Sequence, residues 1–93
     1  MATEPVRLTP RLCRAARALL DWQQSDLSEH SGVPRPTISA FEQKKESGRM
    51  ATLNSKAVLD AFEKNGLEFI PENGGGAGVR FKSREGARTT AQD

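Results

Sequence analysis

Arg35 lies between two prolines in the stretch SGVPRPTISAFE, residues 31–42. A guanidinium carries five N–H donors in a planar fork, which fits phosphate oxygens or, in the major groove of a duplex, guanine O6 and N7. Proline inside a helix removes a hydrogen bond and clashes with the preceding turn, so it is tolerated in the first turn, where N–H groups lack partners. Pro34 and Pro36 therefore mark a helix start, and Gly32 can turn the chain into it. Arg35 would stand at the N-terminal end of that helix.

Other chemistry is poorly supplied. Cys13 is the only cysteine and His30 the only histidine. Nucleophilic catalysis and metal binding each need partners at defined spacing, and a single cysteine makes no internal disulfide. Both residues are read as structural. No catalytic residue, metal ligand or cofactor is assigned, and no enzyme is expected. The glycines of PENGGGAG, residues 71–78, follow a strand-like segment, as in a dinucleotide site. Phosphate binding there requires a helix N-terminus directly after the loop, whereas a second strand-like segment follows. No small-molecule ligand is inferred.

The chain has 93 residues, with 14 Lys/Arg against 12 Asp/Glu and a net charge of +2. That length suits one small domain. Between Arg7 and Arg49 there are eight basic and five acidic side chains. This local excess suits a polyanion, and equally a solvated mixed-charge face. No apolar run reaches membrane-spanning length, and the first residues lack the basic-then-apolar order of a secretory signal. A cytoplasmic location, with no membrane partner, is expected.

Periodicity places the elements that must hold Arg35. A first helix is predicted over Pro10 to Asp21, capped by Thr9, with Leu12, Ala16, Leu19 and Leu20 on its buried face. A second runs from Gln24 to about Ser31, anchored by Leu27 and stopped at Gly32. The third covers Arg35 to Gln43, with Ile38 and Phe41 on one side. Lys44 to Met50 reads as a polar, basic loop. A fourth helix occupies about Thr52 to Lys64, with Val58, Leu59 and Phe62 apolar and either Thr52 or Asn54 as cap. LEFI (Leu67 to Ile70) and VRFK (Val79 to Lys82) alternate apolar with charged residues and predict a β-hairpin around an eight-residue loop. Beyond Ser83 the chain reads as disordered.

Gln24, Leu27, Gly32, Ile38 and Glu42 fall at the spacing of a known pattern: Gln, Leu three on, Gly five later, Ile six later and Glu four beyond. The stretch QSDLSEHSGVPRPTISAFE resembles the helix-turn-helix of the phage Cro and repressor, or Xre, family, and the resemblance covers about residues 8 to 65. It implies a mainly α fold, a lambda-repressor-like helix-turn-helix bundle of about four helices, and the C-terminal β-hairpin read from the strand pattern follows it as an addition to the family's minimal domain. Residues 1–8 would be a flexible lead, 9–66 the DNA-binding domain, 67–82 the hairpin and 83–93 a disordered tail. Leu27, Val33, Ile38 and Phe41 would pack inward, with small Ser28 letting the second and third helices approach.

The resemblance also assigns roles. The third helix would enter the major groove, with Arg35, Ser39 and Ala40 toward base edges and Pro36 and Thr37 nearer the backbone. Gln24 would bind a phosphate at the N-terminus of the second helix. Lys44, Lys45 and Arg49 would follow the sugar-phosphate backbone, or serve only as solvated charge. Arg17 and Glu42 match a structural ion pair between the first and third helices. Pro34 departs from the family, whose members commonly carry a Ser or Thr cap there, and Ala40 replaces a longer side chain. Arg35 itself can meet either a base or a phosphate.

Double-stranded DNA and a second copy of the chain are the partners implied. Family members bind inverted half-sites about one helical turn, ~34 Å, apart, so something must hold two copies together. Leu67, Phe69, Val79 and Phe81 form one apolar face of a ribbon too small to be stable alone. That face would meet its twin, or the hairpin would stand in for the usual fifth helix. The function implied is a sequence-specific transcriptional regulator, read as a repressor, that binds a dyad-symmetric operator as a homodimer. Two other functions fit the same residues: an autoregulating antitoxin of a toxin–antitoxin pair, and a protein-interaction module whose hairpin adds a strand to a partner without touching DNA.

Overall fold

Helix α1 (Pro10–Leu19) begins where the Thr9 hydroxyl accepts the Leu12 N–H at 3.1 Å and Pro10 takes the first helical position. A second cap comes from far along the chain, because the Glu46 carboxylate accepts the Arg11 N–H at 3.3 Å. The computed structural model describes residues 6–83. Of the predicted flexible lead and tail, residues 1–5 and 84–93 lie outside the described part. Residues 6–8 correct the prediction, since Leu8 is buried in the core and Val6 packs against it.

α1 ends at Leu19, short of the predicted Asp21. The Asp21 N–H bonds the Ala18 carbonyl, the Trp22 N–H reaches back to the Arg17 carbonyl at 2.8 Å, and Asp21 takes a left-handed φ of 57°. This is the bond pair that closes a helix when the residue after the cap turns left-handed, a place usually given to glycine. The buried stripe of α1 runs through Pro10, Cys13 and Ala16, with Leu12 and Leu20 at its margin. Leu19, expected inside, lies off that stripe and is 39% exposed.

Helix α2 (Gln24–Ser31) buries Leu27 and closes at Gly32, whose φ of 79° a side chain would strain. The Asp26 carboxylate accepts the Gln23 N–H at 2.8 Å and so occupies the helix N-terminus. Helix α3 (Arg35–Glu42) follows after one short turn and buries Ile38, Phe41 and Glu42; Gln43 is its cap rather than its last residue. The Ser28 hydroxyl donates to the Val33 carbonyl at 2.7 Å, which fastens α2 to the entry of α3. Helix α4 (Thr52–Lys64) has the predicted bounds, but neither Thr52 nor Asn54 caps it: Ala51 holds that place with no side-chain bond.

Strands β1 (Leu67–Ile70) and β2 (Gly78–Phe81) pair antiparallel, with Leu67 opposite Phe81 and Phe69 opposite Val79. The second strand starts one residue before the predicted Val79, and residues 71–77 form the connecting loop. Directly opposed residues share a face, so these four side chains point the same way. They point into the chain's own core: β1 lies against α4 and β2 against α1. Leu67 is fully buried, Phe69 nearly so, with its ring 5.9 Å from that of Phe62, and Val79 and Phe81 are half-buried against the same cluster. The dimer role predicted for Leu67 and Phe69 is therefore corrected; both are unavailable to a second copy because the protomer uses them itself. The outer face carries the Arg80 to Glu68 ion pair at 2.6 Å.

Candidate nucleic-acid interface

Glu42, the last residue of α3, decides how that helix is held. Its carboxylate accepts from Arg17 Nε at 2.8 Å and Nη2 at 2.7 Å, from the Gln24 amide at 3.0 Å and from the Cys13 thiol at 3.1 Å. Arg14 donates to the Glu42 backbone carbonyl. Side chains of α1 and α2 thus converge on one anion. Burial works against the charge of Glu42, but the bonds from Arg17, Gln24 and Cys13, with the Arg17 charge, outweigh it and hold the carboxyl below the usual carboxylate range. Arg17 is pushed in the opposite direction, mainly by its bond to Glu42. Burial beside Glu42 drives the Cys13 thiol far above its ordinary range, so it remains a protonated donor.

With Glu42 paired and buried, the sequence RPTISAFE leaves no carboxylate on the outward side of α3. Arg35, Pro36 and Ala40 are exposed there, while Thr37 and Ser39 are partly covered. Among the described residues nothing bonds the Arg35 side chain. The missing Ser/Thr cap at Pro34 is offset locally. Thr37 and Ile38 donate to the Pro34 carbonyl at 3.0 and 3.2 Å, and Pro36 has no N–H to satisfy, so Arg35 alone keeps an open first-turn donor. The Ser39 hydroxyl accepts from Gln43 Nε2 at 3.3 Å and keeps its own O–H to donate.

Gln24, expected to meet a phosphate, donates one amide hydrogen to Glu42, and Asp26 places a carboxylate at the α2 N-terminus. What remains for an outside anion is the second amide hydrogen and the unpaired first-turn N–H groups.

The segment after α3 is a folded loop. Lys44 Nζ donates to the Arg49 carbonyl at 2.7 Å, and the Arg7 guanidinium approaches the carbonyls of Glu46 and Gly48 at 3.5 and 3.4 Å. Gly48 is required by this closure, since a Cβ there would lie 2.4 Å from Lys44 Cβ. Lys45 and Arg49 stay exposed. An open groove of about 380 Å³ runs between α3 and the start of α4, lined by Pro36, Thr37, Ala40, Lys44, Arg49 and Asn54 among others. Thus Pro36, Thr37, Ala40, Lys44 and Arg49 border one concavity. Arg35 and Ser39 are outside its lining.

Sequence reasoning missed three participants. Cys13 gave no signal because a thiol is a weak donor and its partner lies far along the chain. Gln43 sits four residues after Ser39, a spacing that brings helical side chains together and could have marked it. Trp22, just past the end of α1, stacks on His30 with ring centroids 4.4 Å apart and on Phe62 at 5.8 Å, which also gives the lone histidine a packing role. Among the described residues, no helix is long and apolar enough to cross a membrane. No family model matches the chain, and no curated protein matches it in sequence.

Proposed function

We propose that the chain is a sequence-specific DNA-binding transcriptional regulator, in which α2, the Gly32 turn and α3 act as a helix-turn-helix of the Xre type and α3 enters the major groove. The observation that carries this is the exposed, acid-free face of α3 with an unbonded Arg35 at its N-terminal end. The basic loop beside it adds Lys44, Lys45 and Arg49 for the sugar-phosphate backbone, with Thr37 along the same groove. Arg17 and Glu42 fix the angle of α3 against α1 and make no DNA contact. The molecule acts as a homodimer on a dyad-symmetric operator. Its dimer surface lies elsewhere than on Leu67 and Phe69, since those are buried within one protomer.

The test is selection of bound sequences from random duplex DNA, followed by the salt dependence of the enriched site. Each phosphate neutralised contributes about −0.9 to the log–log slope, so replacing Lys45 or Arg49 by Ala flattens it by roughly that amount. A dyad-symmetric consensus bound by two copies in sedimentation supports the proposal. No preference for any duplex over competitor at moderate ionic strength would falsify it.

A further inference from the structure

Gln43, the cap of α3, continues the outward line of that helix. Pro36, Ala40 and Gln43 are spaced four and three residues apart, which stacks them along one helix face, opposite the buried Ile38 and Phe41. Gln43 is exposed, and its amide is oriented by the bond from Nε2 to Ser39 Oγ at 3.3 Å. With one amide hydrogen held by Ser39, the carbonyl oxygen and the second hydrogen form an adjacent acceptor and donor. That pair matches the N6 donor and N7 acceptor on the major-groove edge of adenine.

The side chains between the two ends of α3 are short. Pro36 and Ala40 form a low apolar shelf, and neither projects far enough to keep the helix off a groove floor. Long side chains stand only at the two ends, Arg35 and Gln43. Eight residues at about 1.5 Å rise separate them by about 12 Å. With base pairs stacked about 3.4 Å apart, this spans roughly three base pairs.

We infer that Gln43 is a second specificity-determining residue of this chain, reading an adenine about three base pairs from the guanine read by Arg35, with Ser39 positioning its amide. The inference rests on the DNA-binding reading above. The apolar shelf between the two readers favours a thymine methyl group beneath Ala40.

The experiment enriches random duplex DNA with the full chain and with Gln43→Ala, Arg35→Ala and Ser39→Ala, each first shown to be folded by circular dichroism. The parent is expected to select half-sites with a guanine and an adenine about three base pairs apart. Gln43→Ala should lose about tenfold of the preference at the adenine and keep the guanine, Arg35→Ala should do the reverse, and Ser39→Ala should weaken the adenine preference less than Gln43→Ala. If the parent selects a consensus and Gln43→Ala selects the same one at every position, the inference is overturned while DNA binding stands. If the parent selects no duplex at all, the DNA-binding reading fails and this inference goes with it.

Discussion

Glu42 is where the chemistry of single residues most affects the fold. It is nearly inaccessible, and its carboxylate is shared by a guanidinium, an amide and a thiol. Removing one partner of a buried ion pair strands the other charge, at a cost of about 3–5 kcal/mol. Glu42→Ala should lower stability by that order in urea unfolding, and Arg17→Ala by a comparable amount. Because the folded-state pKa of Glu42 lies below its unfolded value, near 4.3, its contribution is complete above that value and declines as pH falls through the folded one. Glu42→Gln should therefore flatten the acid limb of the stability curve, read as melting temperature from pH 6 down to pH 2. Arg35 behaves in the opposite way. Exposed and unbonded among the described residues, it should be replaceable by Ala with a change in melting temperature near zero, while specific DNA affinity falls by about 1–3 kcal/mol.

At the scale of elements, two glycines shape the segments on either side of α3. Gly32 takes a φ of 79° between α2 and α3, and Gly32→Ala forces a side chain into the left-handed region, at about 1–2 kcal/mol. Gly48→Ala drives a Cβ into Lys44 Cβ and the Lys45 carbonyl, so the loop must shift. The expected result is a loss of about 1–3 kcal/mol in stability together with weaker, less salt-sensitive DNA binding, measured by melting and by fluorescence anisotropy. Most element ends were legible because proline and glycine announce them: Pro10, Pro34 and Gly32 bound three helices where expected. The end of α1 was not legible. Its left-handed residue is Asp21, which carries no strong turn signal, and the closing bond from Trp22 to Arg17 depends on geometry that residue types alone do not reveal. The Arg17 and Glu42 pair could be foreseen only through the family pattern, since the two residues lie on separate helices.

For the whole molecule, the hairpin completes the core. Its alternating pattern identified one apolar face but could not say what covers it, because the same four side chains suit a twin ribbon or the chain's own helices. Packing against α1 and α4 commits Leu67 and Phe69 to the helices and leaves Val79 and Phe81 half-buried. Phe69→Ala should therefore destabilise the protomer by about 3–5 kcal/mol in urea unfolding, and should do so equally at low and high protein concentration, as an intramolecular contact requires. A strong concentration dependence of that loss would show instead that the hairpin serves a second copy. The candidate interface was legible in its basic residues and in Arg35, which sequence spacing alone sets apart. It was less legible at Gln24, whose amide turns inward, because the pull of a buried carboxylate from another helix leaves no trace in local sequence.

Trp22 is the only tryptophan in the chain, and it is clasped between His30 of α2 and Phe62 of α4. Its emission is thus an unlabelled optical gauge of whether the helices are assembled. A substitution that abolishes binding yet leaves the indole spectrum untouched has damaged recognition; one that shifts the spectrum to the red has loosened the scaffold.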